Sequence, residues 1–388
     1  MPVSRVLTWA ALPAAALSLG VGAALAAPAA NSADLLRIRG GEVAVDGSHP
    51  YAALLEIRDG VRLIGHCSGA LVGARWVATA AHCVTDIGRP GSPVWPGLRV
   101  SATIGTVTRQ GDLPAASQAS GSAAVVHPGF DLIGSGLGAD FAMVRLDRPV
   151  RAAALPLFAP GDPTSLVPAG TPATTIGWGL EGPDGMGVSN QLREAALPIL
   201  ADTTCGEADP FDAFDGPSMV CAGFLPPTPD VAGTCQGDSG GPLIVTMPSG
   251  ESRLLGIASW GFDSSCATGP DVFTEVPAVS APVLAAAAAD PVAPLAPPSM
   301  SARAISYRPD AANVMLSADA GELATRYTVD YTSPGAATRQ LAGSLGAGGQ
   351  TRKVVRLRAL TGATTYDVRV TLTNALGSVS TNLAVTTR

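Results

Sequence analysis

The amino-acid sequence predicts an all-β protein with more than one folding unit. Gly and Pro account for 45 and 33 of the 388 residues, and only 14% of residues are charged, which fits a loop-rich β protein better than a helical one. Short apolar runs, such as residues 52–55, 76–79 and 254–259, alternate with clusters of Gly, Pro, Asp and Ser. Strands at this spacing predict a sandwich or a barrel. The hydrophobic content of 47% excludes disorder throughout the chain.

The length and the charge limit the choice of fold and partner. At about 150 residues per domain, the chain suggests two or three folding units. Lys and Arg number 24 and Asp and Glu number 31, so the formal net charge is −7. Because a nucleic-acid-binding protein usually carries a basic stripe, no nucleic-acid partner is expected.

Residues 1–26 are predicted to be a secretory signal peptide. Arg5 precedes an apolar run, residues 6–27, in which Ala-Leu-Ala at residues 24–26 resembles a small-residue cleavage site. The alternative is an uncleaved membrane anchor, but Pro13 and the Gly and Ala content make a poor membrane helix. We therefore expect a secreted, extracellular protein without membrane contact after cleavage, in a compartment where disulfides persist.

The cysteines indicate disulfides rather than metal ligands. An even count of six in an exported chain suggests three bridges, for which the sequence alone allows 15 pairings. No CxxC pair occurs and the four histidines do not cluster, so neither a metal nor another cofactor is expected. The spacing offers a hint, since 16, 16 and 31 positions separate three successive pairs: Cys67 and Cys83, Cys205 and Cys221, and Cys235 and Cys266.

The pattern changes twice along the mature chain. Strand-like runs continue over residues 38–284, which form the first predicted domain. Residues 285–298, AAAAADPVAPLAPP, have no pattern except Ala and Pro and predict a stiff, exposed linker. Alternation then returns at residues 327–331 and 366–372, which predicts a second β domain without cysteine at residues 299–388.

Ser239 is a candidate nucleophile because it lies in a glycine-rich turn, GDSGG, at residues 237–241. Such a turn exposes the serine Oγ and allows backbone N–H groups to point at an oxyanion. The α/β-hydrolase elbow has the same pattern, but that fold needs a histidine after the serine, and the last histidine is His127. Subtilisin order needs an aspartate before the histidine. Asp46 and Asp59 meet that condition by order alone and lie in no suggestive context.

Four histidines compete for the role of general base, since imidazole is the usual base near neutral pH. His49 and His127 each precede a proline and fit surface turns, and His66 fits a packed or surface position at a strand end. His82 lies in the segment TAAHC, where a disulfide at the adjacent cysteine would fix its backbone.

Asp140 is the candidate for the third catalytic group. It begins the strand-like run DFAMVRL after a glycine-rich turn. A buried aspartate at such an edge holds an imidazole in one tautomer and stabilises the imidazolium. Without the other motifs, a solvated turn aspartate would be the favoured interpretation, whereas with them catalysis is favoured.

TAAHC, DFAMVRL, GDSGGP and SWG, in that order, together resemble the trypsin/chymotrypsin family of serine endopeptidases. The resemblance covers residue 38 to about residue 283 and implies a chymotrypsin-like fold of two six-stranded antiparallel β-barrels, with the site between them. It implies that Ser239 is the nucleophile, His82 the general base and then acid, and Asp140 the orienting carboxylate. The oxyanion hole would be the backbone N–H groups of Gly237 and Ser239. The family's disulfides imply three bridges that agree with the spacing: Cys67–Cys83, Cys205–Cys221 and Cys235–Cys266.

The segment LLRIRGG, residues 35–41, resembles the activation junction of this family. It implies that residues 27–37 are an activation propeptide and that cleavage after Arg37 frees the amino group of Ile38. That ammonium would pair with the carboxylate of Asp238 and order the oxyanion hole. Arg39 departs from the usual valine, and the alternative is that Asp238 is only a turn residue.

The specificity pocket departs most from the family pattern. Trypsin-like members have an aspartate six positions before the nucleophile, where this chain has Gly233, whereas Asp271 replaces a glycine of the pocket wall. We expect cleavage after Arg or Lys through Asp271, with relaxed specificity because Gly233 leaves room. Alternatively, Asp271 obstructs the pocket and favours uncharged residues, or it turns to solvent. The substrate backbone would pair along the cleft segment: Ser259, Trp260 and Gly261.

Residues 360–366, LTGATTY, and the alternation that follows them resemble fibronectin type III modules. The resemblance implies a β-sandwich in which Tyr366 forms the tyrosine corner, although the customary early tryptophan is absent. Without an exposed aromatic row, a spacer is the preferred role, and contact with a polymer or surface is the alternative.

The sequence thus predicts a secreted serine endopeptidase, made as a zymogen, that acts through an acyl-enzyme on proteins or peptides and is open to protein protease inhibitors. One alternative is a catalytically inactive homologue that binds partners in the same cleft. Another is an adhesive or matrix-binding protein whose own protease processes it.

Overall fold

A computed structural model of the protein describes residues 38, 41–111, 113–133, 137–180, 189–225, 232–262, 266, 269–319, 321–348 and 350–388. The predicted signal peptide and propeptide, Arg37 included, lie outside these residues. None of the described helices has the length and apolar character that a membrane span requires.

Six antiparallel strands close into a barrel in the first part of the chain. After the short β1 (Glu42–Val43), they are β2 (Ala52–Asp59), β3 (Arg62–Leu71), β4 (Trp76–Thr79), β5 (Leu98–Ile104), β6 (Gln118–Val126) and β7 (Ala142–Leu146). Their order around the barrel is β2-β3-β4-β7-β6-β5. Residues of β5 alternate between the core and the surface, as the period of a strand requires. Leu55, Trp76 and Met143 are fully buried in this core.

A second antiparallel sheet follows. Its strands are β8 (Pro172–Gly177), β9 (Arg193–Pro198), β10 (Met219–Ala222), β11 (Pro242–Thr246), β12 (Ser252–Gly261) and β13 (Asp271–Glu275). With β1 at one edge, the order is β1-β9-β8-β11-β12-β13-β10. An isolated β-bridge between Ile199, just after β9, and Ala222 of β10 connects strands from near the two opposite edges of this sheet. The predicted all-β, chymotrypsin-like class is confirmed.

The described helices are short. They are α1 (Ala81–Val84), α2 (Asp202–Ala208) and α3 (Val276–Ala288), together with 3₁₀ turns at Ala115–Ser117 and Thr164–Leu166.

The segment at residues 285–298 differs from the exposed linker that its composition predicts. Helix α3 continues into it, and Ala287, Ala293 and Leu295 are buried in the cluster that contains the first barrel's core. The indole N–H of Trp76 donates a hydrogen bond of 2.9 Å to the carbonyl oxygen of Ala293. The expectation of an exposed segment is wrong for these three apolar residues, which remove their surface from water by packing on the barrel. It holds for other residues of the segment, such as Ala289 and Val292, which are exposed.

Residues beyond this segment form a β-rich region of two sheets. Its strands are β14 (Ser299–Ile305), β15 (Ala311–Asp319), β16 (Thr325–Thr332), β17 (Arg339–Leu345), β18 (Gln350–Arg358), β19 (Thr365–Asn374) and β20 (Gly377–Thr386). One sheet has the order β14-β15-β18 and the other β17-β16-β19-β20. Inward-facing apolar residues of both sheets share one core. The buried Tyr366 hydroxyl accepts a hydrogen bond of 2.9 Å from the N–H of Thr361.

This C-terminal region packs directly on the first barrel. Gly73 and Leu323 form an antiparallel β-bridge, and the N–H of Ala74 donates to the carbonyl oxygen of Glu322 at 2.7 Å. The Leu323 side chain is 1% exposed and belongs to the barrel's own core cluster. A Cβ on Gly73 would overlap the Glu322 carbonyl oxygen, so this approach requires glycine.

Candidate active site

His82 lies on α1, immediately after β4. The Cys67–Cys83 disulfide ties this single helical turn to β3, and the Thr85 hydroxyl donates to the Ala81 carbonyl oxygen at 2.9 Å. The backbone on both sides of His82 is therefore fixed.

Asp140 reaches His82 because β4 and β7 pair and bring Thr79 opposite Ala142. The Asp140 side chain is fully buried and accepts three hydrogen bonds. The His82 backbone N–H donates to Oδ1 at 2.9 Å, and the ring Nδ1 lies 2.7 Å from Oδ2. The Ser259 hydroxyl donates to Oδ2 at 2.6 Å. With the carboxylate ionised, the proton of the neutral imidazole is on Nδ1, and Nε2 is free to accept one.

The two groups shift each other's pKa in opposite directions. Burial alone lowers the pKa of His82, but the charge and hydrogen bond of Asp140 outweigh it and raise that pKa above its ordinary value. Burial raises the pKa of Asp140, but the charge of His82 and the hydrogen bonds from His82 and Ser259 lower it overall. The pair therefore favours an aspartate anion beside a proton-accepting imidazole.

Ser239 lies in the turn that precedes β11, and this turn docks against β3 and β4. The Ser68 N–H donates to the Ser239 carbonyl oxygen at 2.8 Å. Gly240 adopts a φ of +82°, and a Cβ there would overlap Thr79 Oγ1 and the Ser68 carbonyl oxygen. These contacts place the serine turn against the residues that immediately precede His82.

The backbone of this turn leaves two N–H groups without an internal acceptor. The N–H groups of Asp238, Gly240 and Gly241 each donate to a carbonyl oxygen of the chain. Within the described part of the chain, those of Gly237 and Ser239 have no such acceptor. Two donors beside a serine hydroxyl are suited to an oxyanion.

Asp238 points away from these donors into the protein. Its carboxylate is 1% exposed and accepts hydrogen bonds from the N–H groups of Gly179, at 2.7 Å, and Cys235, at 2.9 Å. Burial raises the pKa of Asp238 to about 6, although both N–H groups act to lower it. Among the described residues no basic side chain lies within ion-pair distance of it. Ile38 is also buried, in the core cluster of the second sheet.

A pocket of about 200 Å³ opens beside Ser239. Ser259, Trp260 and Gly261 form one wall, and Asp271, the first residue of β13, is part of the lining. Other lining residues are Thr234, Cys235, Gln236, Ala258 and Cys266.

Among the described residues of this lining, Asp271 is the sole charged one. It is 4% exposed and accepts a hydrogen bond of 2.6 Å from the N–H of Thr234, so the alternative in which it turns to solvent is wrong. Gly233 is buried next to Thr234 and lies outside the lining.

An aromatic cluster extends the pocket wall. The Trp260 ring lies 5.5 Å from that of Phe262 and 6.3 Å from that of Phe211 between centroids. Phe211 is 62% exposed, so it offers an apolar surface at this edge. Nothing in the local sequence around Phe211 indicates this placement.

The other histidines occupy separate environments. His49 contacts Glu194 and Tyr51, and His66 lies 4.0 Å from Glu56. His127 accepts from the N–H of Gly129 at 3.0 Å. The cysteines join in three disulfides, with the pairing that the resemblance implies: Cys67–Cys83, Cys205–Cys221 and Cys235–Cys266.

Comparison with known proteins agrees with this geometry. The trypsin family model matches residues 38–282, more than half of the chain. The chain therefore belongs to the trypsin family of serine proteases. Strands β14–β20 lie outside the match.

Similar proteins include the human hepatocyte growth factor activator serine protease, 33% identical over 248 residues, which are 62% of this chain and 35% of that protein. Human serine protease 56 is 35% identical over 252 residues, 62% of this chain and 37% of that protein. A trypsin of Saccharopolyspora erythraea is 33% identical over 240 residues, 62% of this chain and 93% of that protein. The chain thus spans about a third of the two human relatives.

Proposed function

We propose that the protein is a secreted serine endopeptidase that forms an acyl-enzyme on Ser239. The observation that carries this proposal is the chain of hydrogen bonds from Ser259 through Asp140 to His82, next to the docked serine turn. The family match and the disulfides support a hydrolase of this class.

In the proposed mechanism, Ser239 Oγ attacks the carbonyl carbon of the substrate and transfers its proton to His82 Nε2. Asp140 stabilises the resulting imidazolium, and the N–H groups of Gly237 and Ser239 bind the oxyanion. His82 then donates its proton to the leaving amine. Water, deprotonated by His82, attacks the acyl-enzyme, and His82 returns that proton to Ser239 Oγ as the carboxylic acid product leaves.

Labelling with a fluorophosphonate tests this proposal against an inactive binding homologue. Wild-type protein beginning at Ile38 should gain one covalent label at Ser239, read by peptide mass spectrometry. Ser239→Ala should gain none, and Asp140→Asn should react far more slowly because its imidazole is held in the wrong tautomer. A wild-type protein that stays unlabelled would support the inactive homologue.

Cleavage after Arg or Lys is the specificity we propose. The carboxylate of Asp271 supplies the pocket's negative charge, and a guanidinium or ammonium group at the P1 position would complement it. The isosteric change Asp271→Asn removes the charge without enlarging the pocket. It should reduce kcat/KM for P1 Arg and Lys much more than for P1 Leu or Phe. If the substitution instead changes kcat/KM equally for all four substrates, the charge of Asp271 does not determine the P1 preference.

Activation by cleavage after Arg37 is also proposed. The supporting observation is a buried Asp238 carboxylate whose pKa is raised to about 6, which an ammonium of Ile38 would compensate. Arg37→Gln should leave the exported protein inactive with a small peptide substrate. Full activity of that variant would refute the proposed switch.

For the C-terminal region we propose a fibronectin type III-like sandwich that contacts a polymer or surface. Its sheets of three and four strands and the Tyr366 hydrogen bond support the sandwich. A spacer would hold two parts of the chain apart, whereas this region packs on the first barrel. This packing argues against the spacer and leaves contact with a polymer or surface as the role we propose.

A further inference from the structure

The charge of the chain is divided unevenly between its two parts. Residues 299–388 contain ten Lys and Arg against five Asp and Glu, a net charge of +5. The preceding 298 residues contain 14 against 26, a net charge of −12. Such an asymmetry is typical of proteins whose basic part contacts an anionic partner.

Much of this positive charge lies on one face of the sheet β14-β15-β18. Val355 and Leu357 of β18 face the core, so the residues between and beside them face outward. The outward residues of β18 are Arg352, Val354, Arg356 and Arg358, all exposed. Arg303 of β14 lies on the same face, because it is paired with Met315, which is in turn paired with Val354.

The spacing of these arginines suits an extended ligand. With about 3.4 Å per residue and 4.8 Å between strands, the Cα atoms of Arg352 and Arg358 are about 20 Å apart, and Arg303 is about 10 Å to the side. Within the part of the chain that the structure describes, none of the four guanidinium groups lies within 4 Å of a carboxylate. The carboxylate of this face, Asp319, is at the end of β15.

Uncharged residues complete the surface. A shallow groove of about 540 Å³ includes Ser301, Ser317, Met315 and Val354 beside Arg303 and Arg352. The two serine hydroxyls are suited to hydrogen bonds with the hydroxyl groups of a sugar, and the Met and Val side chains are suited to packing against its C–H face. No aromatic residue lies on the outward face of β14, β15 or β18 within the described residues, so the stacking platform of a single-stranded nucleic-acid site is missing there.

We propose that this arginine face, defined by Arg303, Arg352, Arg356 and Arg358, binds a linear anionic polysaccharide. The inference rests on the proposed contact of the C-terminal region with a polymer and specifies the face and the ligand chemistry. Edge strands often carry charges that discourage pairing with other chains, and that role requires no polysaccharide affinity. The two explanations therefore differ in a binding measurement.

The test uses the full chain with Ser239→Ala, which prevents self-digestion, and heparin as the probe. This protein should bind at about 0.15 M salt. The variant Arg352→Ser, Arg356→Ser, Arg358→Ser should bind about tenfold or more weakly. The slope of log affinity against log salt should fall by about two to three, since each lost cation removes about one released counterion.

A matched variant removes three arginines elsewhere in the same region: Arg308→Ser, Arg369→Ser and Arg388→Ser. It has the same net charge and should keep nearly the full affinity. Thermal unfolding must show that both variants are folded. If both variants lose affinity equally, or if the variant of the arginine face keeps its affinity, that face is not the binding site. The proposal that the C-terminal region contacts a polymer would still hold.

Different results test the identity of the ligand and the proposed contact with a polymer. If neither heparin nor a carboxylated polysaccharide such as alginate binds, both the face and the polymer contact are refuted. Tighter binding to duplex DNA or to vesicles of anionic phospholipid than to either polysaccharide would overturn the choice of ligand. The activity of wild-type protein on small peptides tests proteolysis independently.

Discussion

Replacement of Gly73 by alanine should detach the C-terminal region from the first barrel. The added Cβ would overlap the carbonyl oxygen of Glu322. Movement away from this oxygen would break two backbone hydrogen bonds. The N–H of Ala74 donates to the carbonyl oxygen of Glu322 at 2.7 Å, and the N–H of Ala324 donates to that of Val72 at 2.9 Å.

The expected size of the effect follows from these contacts. Two backbone hydrogen bonds contribute about 1 kcal/mol each, and complete exposure of the buried Leu323 side chain would cost about 2 kcal/mol. Because the contact can relax in part, we expect the free energy of unfolding to fall by about 2–3 kcal/mol. For a domain of about 250 residues, such as the one that contains the first barrel, this lowers Tm by about 5–10 °C.

Differential scanning calorimetry measures this shift, and limited proteolysis between residues 289 and 298 reports detachment. The control is Gly65→Ala, also on the first barrel, where an added Cβ meets nothing within 4 Å. A Tm of Gly73→Ala that equals that of the wild type and of Gly65→Ala would refute the docking argument.

Three further predictions concern the active site. Gly240→Ala forces a Cβ onto β3 and β4 at a φ of +82° and should lower kcat/KM by about 100-fold through misplacement of the nucleophile. Gly250→Ala, at a φ of +81° with open space around it, carries the same backbone strain and should retain activity. Since the pKa of His82 is raised and its neutral imidazole is the proposed base, kcat/KM should rise with pH through an acidic limb above about 6.5. In Asp140→Asn the residual activity should show this limb at lower pH, because burial then dominates. In the uncut protein, Asp238 is protonated more readily folded than unfolded, so stability should fall by up to about 3 kcal/mol as pH rises from about 4 to 6. Urea unfolding of Asp238→Asn should lack this component, and equal pH slopes in both proteins would contradict the assignment.

Short motifs singled out the proposed catalytic groups because the geometry of those motifs is largely local. The turn around Ser239 needs glycine at Gly240 for its left-handed φ, and His82 is next to a disulfide. The sequence also named Ser259 and Asp271 as residues of the cleft. Their hydrogen bonds could not be foreseen, since Ser259 and Asp140 are 119 positions apart and no residue pattern encodes the pairing.

The packing of the C-terminal part was not predictable from composition. Ala and Pro in residues 285–298 carry no polar alternation that would distinguish a buried face from an exposed one. The docking of Leu323 depends on one glycine, Gly73, at a distant position whose need for a small residue is visible only in three dimensions. The positive charge of the last 90 residues was visible in the sequence, but its concentration on one face depends on strand register.

The most direct test of the account is hydrolysis of a P1-varied peptide library by the protein beginning at Ile38, with Ser239→Ala as the blank. We expect cleavage after Arg and Lys that vanishes in the blank, and a selective loss of this preference in Asp271→Asn. Cleavage after uncharged residues would contradict the specificity assigned to Asp271 but leave the protease intact. If hydrolysis by the wild type does not exceed that of the blank, the catalytic assignment of Ser239, His82 and Asp140 is wrong.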